Sequence, residues 1–225
     1  MAASKLRRLA SNLTNRDYLS AVFFWIVRRL TGVQVHRVMT LELRGRVPGA
    51  EVADGSDLRF LVLRDPGDLE GLRSDIVEQL DEQCGSSCRA LVSRGDWVYF
   101  VTDGDGRVAC QMNVRHGSFE VDSPTDLAIR VGPQCSFWGH LYTRPDYRGR
   151  GVAGAILRYA ADDSARAGLI RCYSHIRSTN HMSMRAVRKD GWVPAALMLT
   201  SASGRLLGAP GCKRIGLEVT PINRA

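Results

Sequence analysis

The chain has 225 residues, 44% of them hydrophobic and 24% charged, which fits one ordinary hydrophobic core with an appendage and excludes a collagenous or disordered composition. Its formal net charge of +8 is unevenly placed: nine of the 31 Lys and Arg fall in residues 1–50 with only Asp17 and Glu42 against them, and the rest of the chain is close to neutral. Six scattered cysteines (Cys84, Cys88, Cys110, Cys135, Cys172, Cys212) with no secretory peptide before them argue against a disulfide framework and for reduced thiols in a cytoplasmic protein.

Residues 1–31 carry a helical pattern, with Leu19, Val22, Phe23, Ile26, Val27 and Leu30 on one stripe and Arg16, Arg28 and Arg29 beside it. The apolar run over 21–27 is far too short to span a bilayer. Three roles stay open for this basic amphipathic helix: docking on the core or forming a homodimer contact, lying on an anionic membrane surface at the inner face, or meeting another partner. No recognition module accompanies the charge, so no specific nucleic acid is expected. Alternation over 33–46 predicts a short strand, and Gly45, Pro48, Gly49 and Gly55 punctuate a linker. These signals divide the chain into an extension, 1–50, and a main domain, 51–225.

Residues 58–63 read as the first core strand. The stretch 65–82 reads as helical and carries seven acids against Arg73 alone. Cys84 and Cys88 could hold half a metal site, but nothing completes four ligands, so no metal is expected and the pair reads as a loop. Strands are predicted over 97–102 and 107–114 around Asp103-Gly104-Asp105-Gly106, a strong hairpin signal.

Residues 134–143 predict a strand, Pro145 ends it, and Val152, Ile156 and Ala160 recur at helical spacing through Arg166, with Gly168 closing the helix. Between them lies Arg148-Gly149-Arg150-Gly151-Val152-Ala153. Glycines there let the backbone approach a ligand, and the first amides of a helix lack intrahelical acceptors, so a phosphate or pyrophosphate suits them. Gly149, Gly151 and Gly154 spell a dinucleotide fingerprint, but the acid such a site needs about twenty residues on is missing, because 169–179 contain no Asp or Glu. A strand over 169–175, a short helix over 180–188, and a final antiparallel pair, 192–200 with 213–219, complete the prediction.

Arg148-x-x-Gly151-x-Ala153 resembles the R/Q-x-x-G-x-G/A loop of the GCN5-related N-acetyltransferases, the GNAT superfamily. Leu141-x-Thr143-x-Pro145 is similar to the end of that family's fourth strand, and Asn180-x-x-Ser183 with Lys189-x-Gly191-Trp192 is similar to its N-x-x-A/S…K-x-G-F/W segment. The resemblance covers roughly 57–220 and implies an α/β (α+β) fold: a mixed, mostly antiparallel central sheet with a parallel, splayed strand pair, flanked by helices. To this the sequence adds the N-terminal basic amphipathic helix.

The resemblance also implies chemistry. Acetyl-CoA would serve as co-substrate, with its pantetheine along Leu141, Tyr142 and Thr143 and its pyrophosphate on the amides of Arg148, Gly149, Arg150, Gly151, Val152 and Ala153. Asn180 and Ser183 would complete the donor site, and the acidic helices would wall the site of a small-molecule or peptide amine. Two family residues are absent: Val187 stands where a thiolate-protonating Tyr is common, and Phe137 where a Glu base is common. His140, Tyr142 and Ser183 are the candidates for acid–base roles, with Tyr173 and His181 as others; strict alternation would put His140 on the face opposite Leu141. The expected activity is acetyl transfer from acetyl-CoA to a primary amine. The alternatives are a longer acyl donor on coenzyme A or acyl carrier protein, the latter met through 1–31, and an acyl-CoA sensor with weak turnover.

Overall fold

The computed structural model describes residues 16–46, 57–84, 86–121 and 127–222, with the side chains of Arg16, Asp17 and Cys84 left out. The first half of the basic extension and the linker glycines Gly49 and Gly55 lie outside the described residues. The chain divides into two units: one comprises residues 1–39, 120–130 and 175–225, and the other residues 40–119 and 131–174. Strands β1 (Gln34–Glu42) and β8 (Arg171–Arg177) run through both.

In the second unit, β2 (Arg59–Leu63), β3 (Trp97–Thr102), β4 (Val108–Arg115) and β7 (Cys135–Thr143) are antiparallel neighbours, and β7 pairs with β8 in parallel. The β3–β4 hairpin forms where Asp103-Gly104-Asp105-Gly106 predicts it: Asp103 Oδ1 accepts the amides of Asp105 and Arg107, at 3.0 and 2.8 Å, and Gly106 sits at φ 83°. In β3, Val98 and Phe100 pack with α2 (Ser74–Cys84) and α3 (Cys88–Ser93). The alternate residue Tyr99 meets α4 (Val152–Arg166), its hydroxyl donating to Asp163 at 2.7 Å. Helices therefore cover both faces, which is why β3 is an almost unbroken apolar run. Asp163 also holds Arg64 at 2.5 Å, so this carboxylate on α4 is satisfied from two sides.

Pro66 and two glycines, Gly67 and Gly71, divide the acidic stretch read as helical into a 3-10 turn, Pro66–Leu69, and α2. Cys88 is no loop residue: it opens α3 behind the Ser87 cap and is buried.

In the first unit, β9 (Val193–Thr200) is followed in the sheet order by β1, which stands between it and β8. The strand expected in the extension thus belongs to the sheet. Bonds from the Ser178 amide to the Val35 carbonyl and from the Leu43 amide to the Ile170 carbonyl, both 2.9 Å, set β1 antiparallel to β8. The expected pairing of 192–200 with 213–219 does not form. β9 instead pairs with β10 (Leu206–Gly208) across a turn that ends at Gly204. Residues Lys213–Ile215 make a 3-10 turn stopped by Gly216, and β11 (Glu218–Pro221) pairs with β6 (Leu127–Arg130), a strand without a sequence signal. Strand β5 (Ser118–Glu120) continues that small sheet. Helix α1 (Arg16–Thr31) ends at Gly32 with φ 70°, whose amide bonds the Arg28 carbonyl at 2.9 Å, a left-handed helix stop. It packs on α5 (His181–Lys189), where Tyr18 meets His181 edge-on at 5.5 Å.

Candidate active site on the central strand

The site is built along β7, the turn after it and the start of α4. The parallel ladder joins Cys135–Trp138 to Arg171–Ser174, and β7 then runs on beside β4. There Gln111 faces Tyr142 and Asn113 faces Gly139, so His140 and Leu141 together oppose the single residue Met112. This is a β-bulge, which interrupts the ladder and leaves a residue of the bulged strand without its cross-strand partner. The strict alternation expected of His140 and Leu141 fails here, and both side chains are exposed. His140 is the one non-glycine with positive φ, 52°, among the described residues, a conformation that histidine tolerates better than most residues.

A bond to α2 fixes the bulged histidine: His140 Nε2 lies 2.6 Å from the Gln83 main-chain oxygen. A carbonyl only accepts, so Nε2 carries the hydrogen and the lone pair of the neutral ring is on Nδ1. Tyr142 and Thr143 are half-buried just beyond. The Thr143 hydroxyl lies 3.2 Å from Cys110 Sγ, and burial pushes that thiol up to about 11, so it stays protonated.

After Thr143 the chain turns through Pro145–Tyr147 and passes two left-handed glycines, Gly149 at φ 78° and Gly151 at φ 79°. Neither has any atom within 4 Å of the place a Cβ would occupy, so the space over both is open. Gly151 is the N-cap of α4 and no side chain caps it, which leaves the first amides of a fifteen-residue helix for an external acceptor. Arg148 folds back, its Nε donating to the Thr143 carbonyl at 3.1 Å, and the Arg150 guanidinium stands 5.4 Å from the Tyr147 ring centre.

Three supports of this turn had no sequence signal. The Tyr147 hydroxyl donates to Asp103 Oδ2 in the β3–β4 hairpin. That bond holds the Asp103 carboxyl below its ordinary range and pushes the Tyr147 phenol up. Arg144 reaches Gln79 Oε1 on α2 at 3.4 Å, and the same oxygen accepts the Val108 amide at 3.0 Å. Gln83 orients His140. Each joins residues far apart in the chain, and no spacing rule announces such contacts.

Asn180 and Ser183 belong to the other unit. The Asn180 side chain caps α5, accepting the Ser183 amide at 3.1 Å, so it serves that helix first. Val187 is buried on α5, and Phe137 is buried on β7 beside Phe119, ring centres 5.4 Å apart; neither is an acid or base. Burial raises the Tyr173 phenol above its ordinary range. Among the described residues no group of three or more His, Cys, Asp or Glu could hold a metal ion.

A mixed sheet in which the parallel β7–β8 pair leads through a bulge and a glycine turn into an uncapped helix is the architecture of the acyltransferase class to which the sequence points. The model of the GNAT acetyltransferase family matches residues 80–192, half of the chain. The chain belongs to that family. A solved Drosophila protein shares the fold at 16% identity and TM-score 0.50, covering 74% of this chain and 50% of its own. A GNAT-family protein from Novosphingobium aromaticivorans does so at 19% identity and TM-score 0.50, covering 74% of this chain and 62% of its own. The chain therefore spans about half to three-fifths of the length of these structures. No curated protein matches it in sequence.

Proposed function

We propose that the protein transfers an acetyl group from acetyl-CoA to a primary amine by direct attack. The observation that carries this reading is the pairing, on one continuous segment, of a bulge at His140–Leu141 with an uncapped helix start behind Gly149 and Gly151. The pyrophosphate sits on the amides of Arg148 to Ala153, where the helix dipole and open glycines favour an anion. The pantetheine runs along Leu141, Tyr142 and Thr143, and a main-chain N–H at the bulge meets the thioester oxygen as negative charge develops there. The amine nitrogen bonds the acetyl carbon, the carbon–sulfur bond breaks, and the proton lost by the amine balances the one gained by the thiolate.

His140 is the group in this reading that takes the amine proton, through Nδ1, since Nε2 is committed to Gln83. Tyr142 returns a proton to sulfur. The exposed acids Glu78 and Glu82 of α2 favour a cationic acceptor, whereas Asp75 is already forked by Arg73 at 2.9 and 2.6 Å and Asp81 accepts the Cys88 amide at 2.6 Å. The reading places the protein in the cytoplasm, where its six cysteines stay reduced.

Calorimetric titration of the full chain with acetyl-CoA, NADH and a long-chain acyl-CoA, followed by coenzyme A release with an amine panel, tests the proposal. Binding of acetyl-CoA with amine-dependent release is expected. Preference for the long chain would move the donor to a longer acyl group, and binding without release for any amine would make the protein a sensor.

A further inference from the structure

Helix α1 carries its apolar stripe outward. Ala21 is buried, Tyr18 contacts His181, and Arg37 reaches both Ser20, at 2.6 Å, and the Phe24 ring, 5.4 Å from its centre; these contacts fix the inner face. On the other face Leu19, Val22, Phe23, Ile26 and Leu30 are all exposed, Phe23 by 59% and Leu30 by 79%, and Trp25 beside them by 58%. At 100° per residue these five fill roughly 100° of arc, a complete apolar face with nothing among the described residues upon it. Arg28 and Arg29 are exposed in the last turn. Lys5, Arg7 and Arg8 precede the helix in sequence, and Asp17 is the one acid in residues 1–31.

We infer that this face docks on an anionic lipid surface, with α1 lying in the interface plane. Charge complementarity selects the occupant. A two-fold contact between copies would set α1 against itself and bring Arg29 of both, which flanks the apolar face, together with Asp17 as the one acid in the helix. An acidic protein would answer the arginines but would leave a Trp- and Phe-bearing apolar face to be covered by charged groups. A headgroup layer over acyl chains answers both at once, and aromatic rings suit that boundary. Among the described residues no helix is long and apolar enough to cross a membrane, so the contact is peripheral. The inference stands apart from the acyl-transfer reading, since it uses neither β7 nor α4.

The test uses full-length protein, with vesicles of phosphatidylcholine alone and vesicles in which about a third of the lipid is phosphatidylglycerol. Flotation and tryptophan emission are read together. Trp25 is the exposed one of four tryptophans, Trp97 being half-buried and Trp138 and Trp192 each 2% exposed, so a blue shift on vesicles that is lost in Trp25→Leu reports its burial. Binding is expected on the anionic vesicles alone, weakened by salt and by about fivefold for Arg29→Gln. Phe23→Glu is expected to abolish it with the thermal midpoint and circular dichroism unchanged. No binding to either vesicle, equal binding to both, or unchanged binding of Phe23→Glu would overturn the inference. So would a solution dimer that Phe23→Glu dissociates while vesicles are ignored, or capture by an acidic carrier protein under conditions where vesicles are not bound.

Discussion

Tyr147 in the turn before α4 and Asp103 in the β3–β4 hairpin are joined through one carboxylate that does two jobs. Oδ1 of Asp103 shapes its own hairpin by accepting two amides, and Oδ2 accepts the Tyr147 hydroxyl. The turn that bears Gly149 and Gly151 is thereby tied to a rigid hairpin, and its amides need not be ordered anew by a ligand.

Tyr147→Phe should therefore weaken acetyl-CoA binding without unfolding the protein. The phenol is partly exposed, so the lost bond has little effect on global stability. We expect the dissociation constant to rise about threefold to tenfold, read by calorimetry, with the thermal midpoint nearly unchanged. An unchanged constant would show that the turn is held without Asp103.

Gly151 gives a sharper outcome. Gly151→Ala meets no steric obstacle but places a side chain at φ 79°, which costs about 1–2 kcal/mol. Gly151→Glu adds to that strain a negative charge at a helix N-terminus, which the dipole itself tolerates. If a pyrophosphate occupies the spot, the glutamate variant should lose at least about tenfold more acetyl-CoA affinity than the alanine variant; equal losses would remove the pyrophosphate assignment.

Acid should destabilise the first unit through His36. This ring is fully buried, takes the Gln34 amide at 3.2 Å and lies 3.3 Å from the Thr200 hydroxyl, and burial, with His175 and Arg177 nearby, lowers it to about 3. The unfolded chain binds a proton here below about pH 6.5 and the folded chain does not until about pH 3. The contribution is thus complete above about pH 6.5 and is lost as pH falls, with a slope of about 1.4 kcal/mol per pH unit that ends near the folded value. Urea titrations across this range should show a shallower acid slope for His36→Gln. Parallel slopes would place the proton uptake elsewhere.

The place of β1 sets where the chain can be cut. A protein starting at Asp54 lacks the strand between β9 and β8 and should be insoluble or unfolded, whereas one starting at Val33 loses only α1 and keeps Val38, Met39 and Leu41 in the core. Circular dichroism and thermal melts of both decide this; a folded protein from Asp54 would mean that the sheet closes without β1.

Local chemistry was legible in the sequence, and distant pairing was not. Asp103-Gly104-Asp105-Gly106 marks its hairpin because turn residues act on their own backbone. The path from β7 to α4 is legible for the same reason, from Pro145, the glycines and the helical spacing after Val152. The bulge is not, because it consists of Met112 on another strand facing two residues, and alternation within β7 alone cannot register it. The alternation at Val38–Leu43 marks a strand but does not name its neighbours, so by sequence alone it belongs with the extension. Likewise β11 found β6, whose short Leu-Ala-Ile-Arg segment carries no signal of its own. For α1 the helical spacing marks the stripe, but periodicity does not say whether a stripe faces inward or outward.

The position of β1 also has a consequence for biosynthesis. His36 on β1 meets Thr200 on β9, 164 positions later. At roughly 5–20 residues per second, a ribosome makes the partner strand about ten to thirty seconds after β1 has emerged. During that interval β1 must wait, with Val38, Met39 and Leu41 uncovered, and the sheet closes only once β9 has been made. A chain stalled before β9 would present an apolar strand edge to the cell, so its yield should depend on holdase chaperones more than that of a chain whose early strands pair with one another.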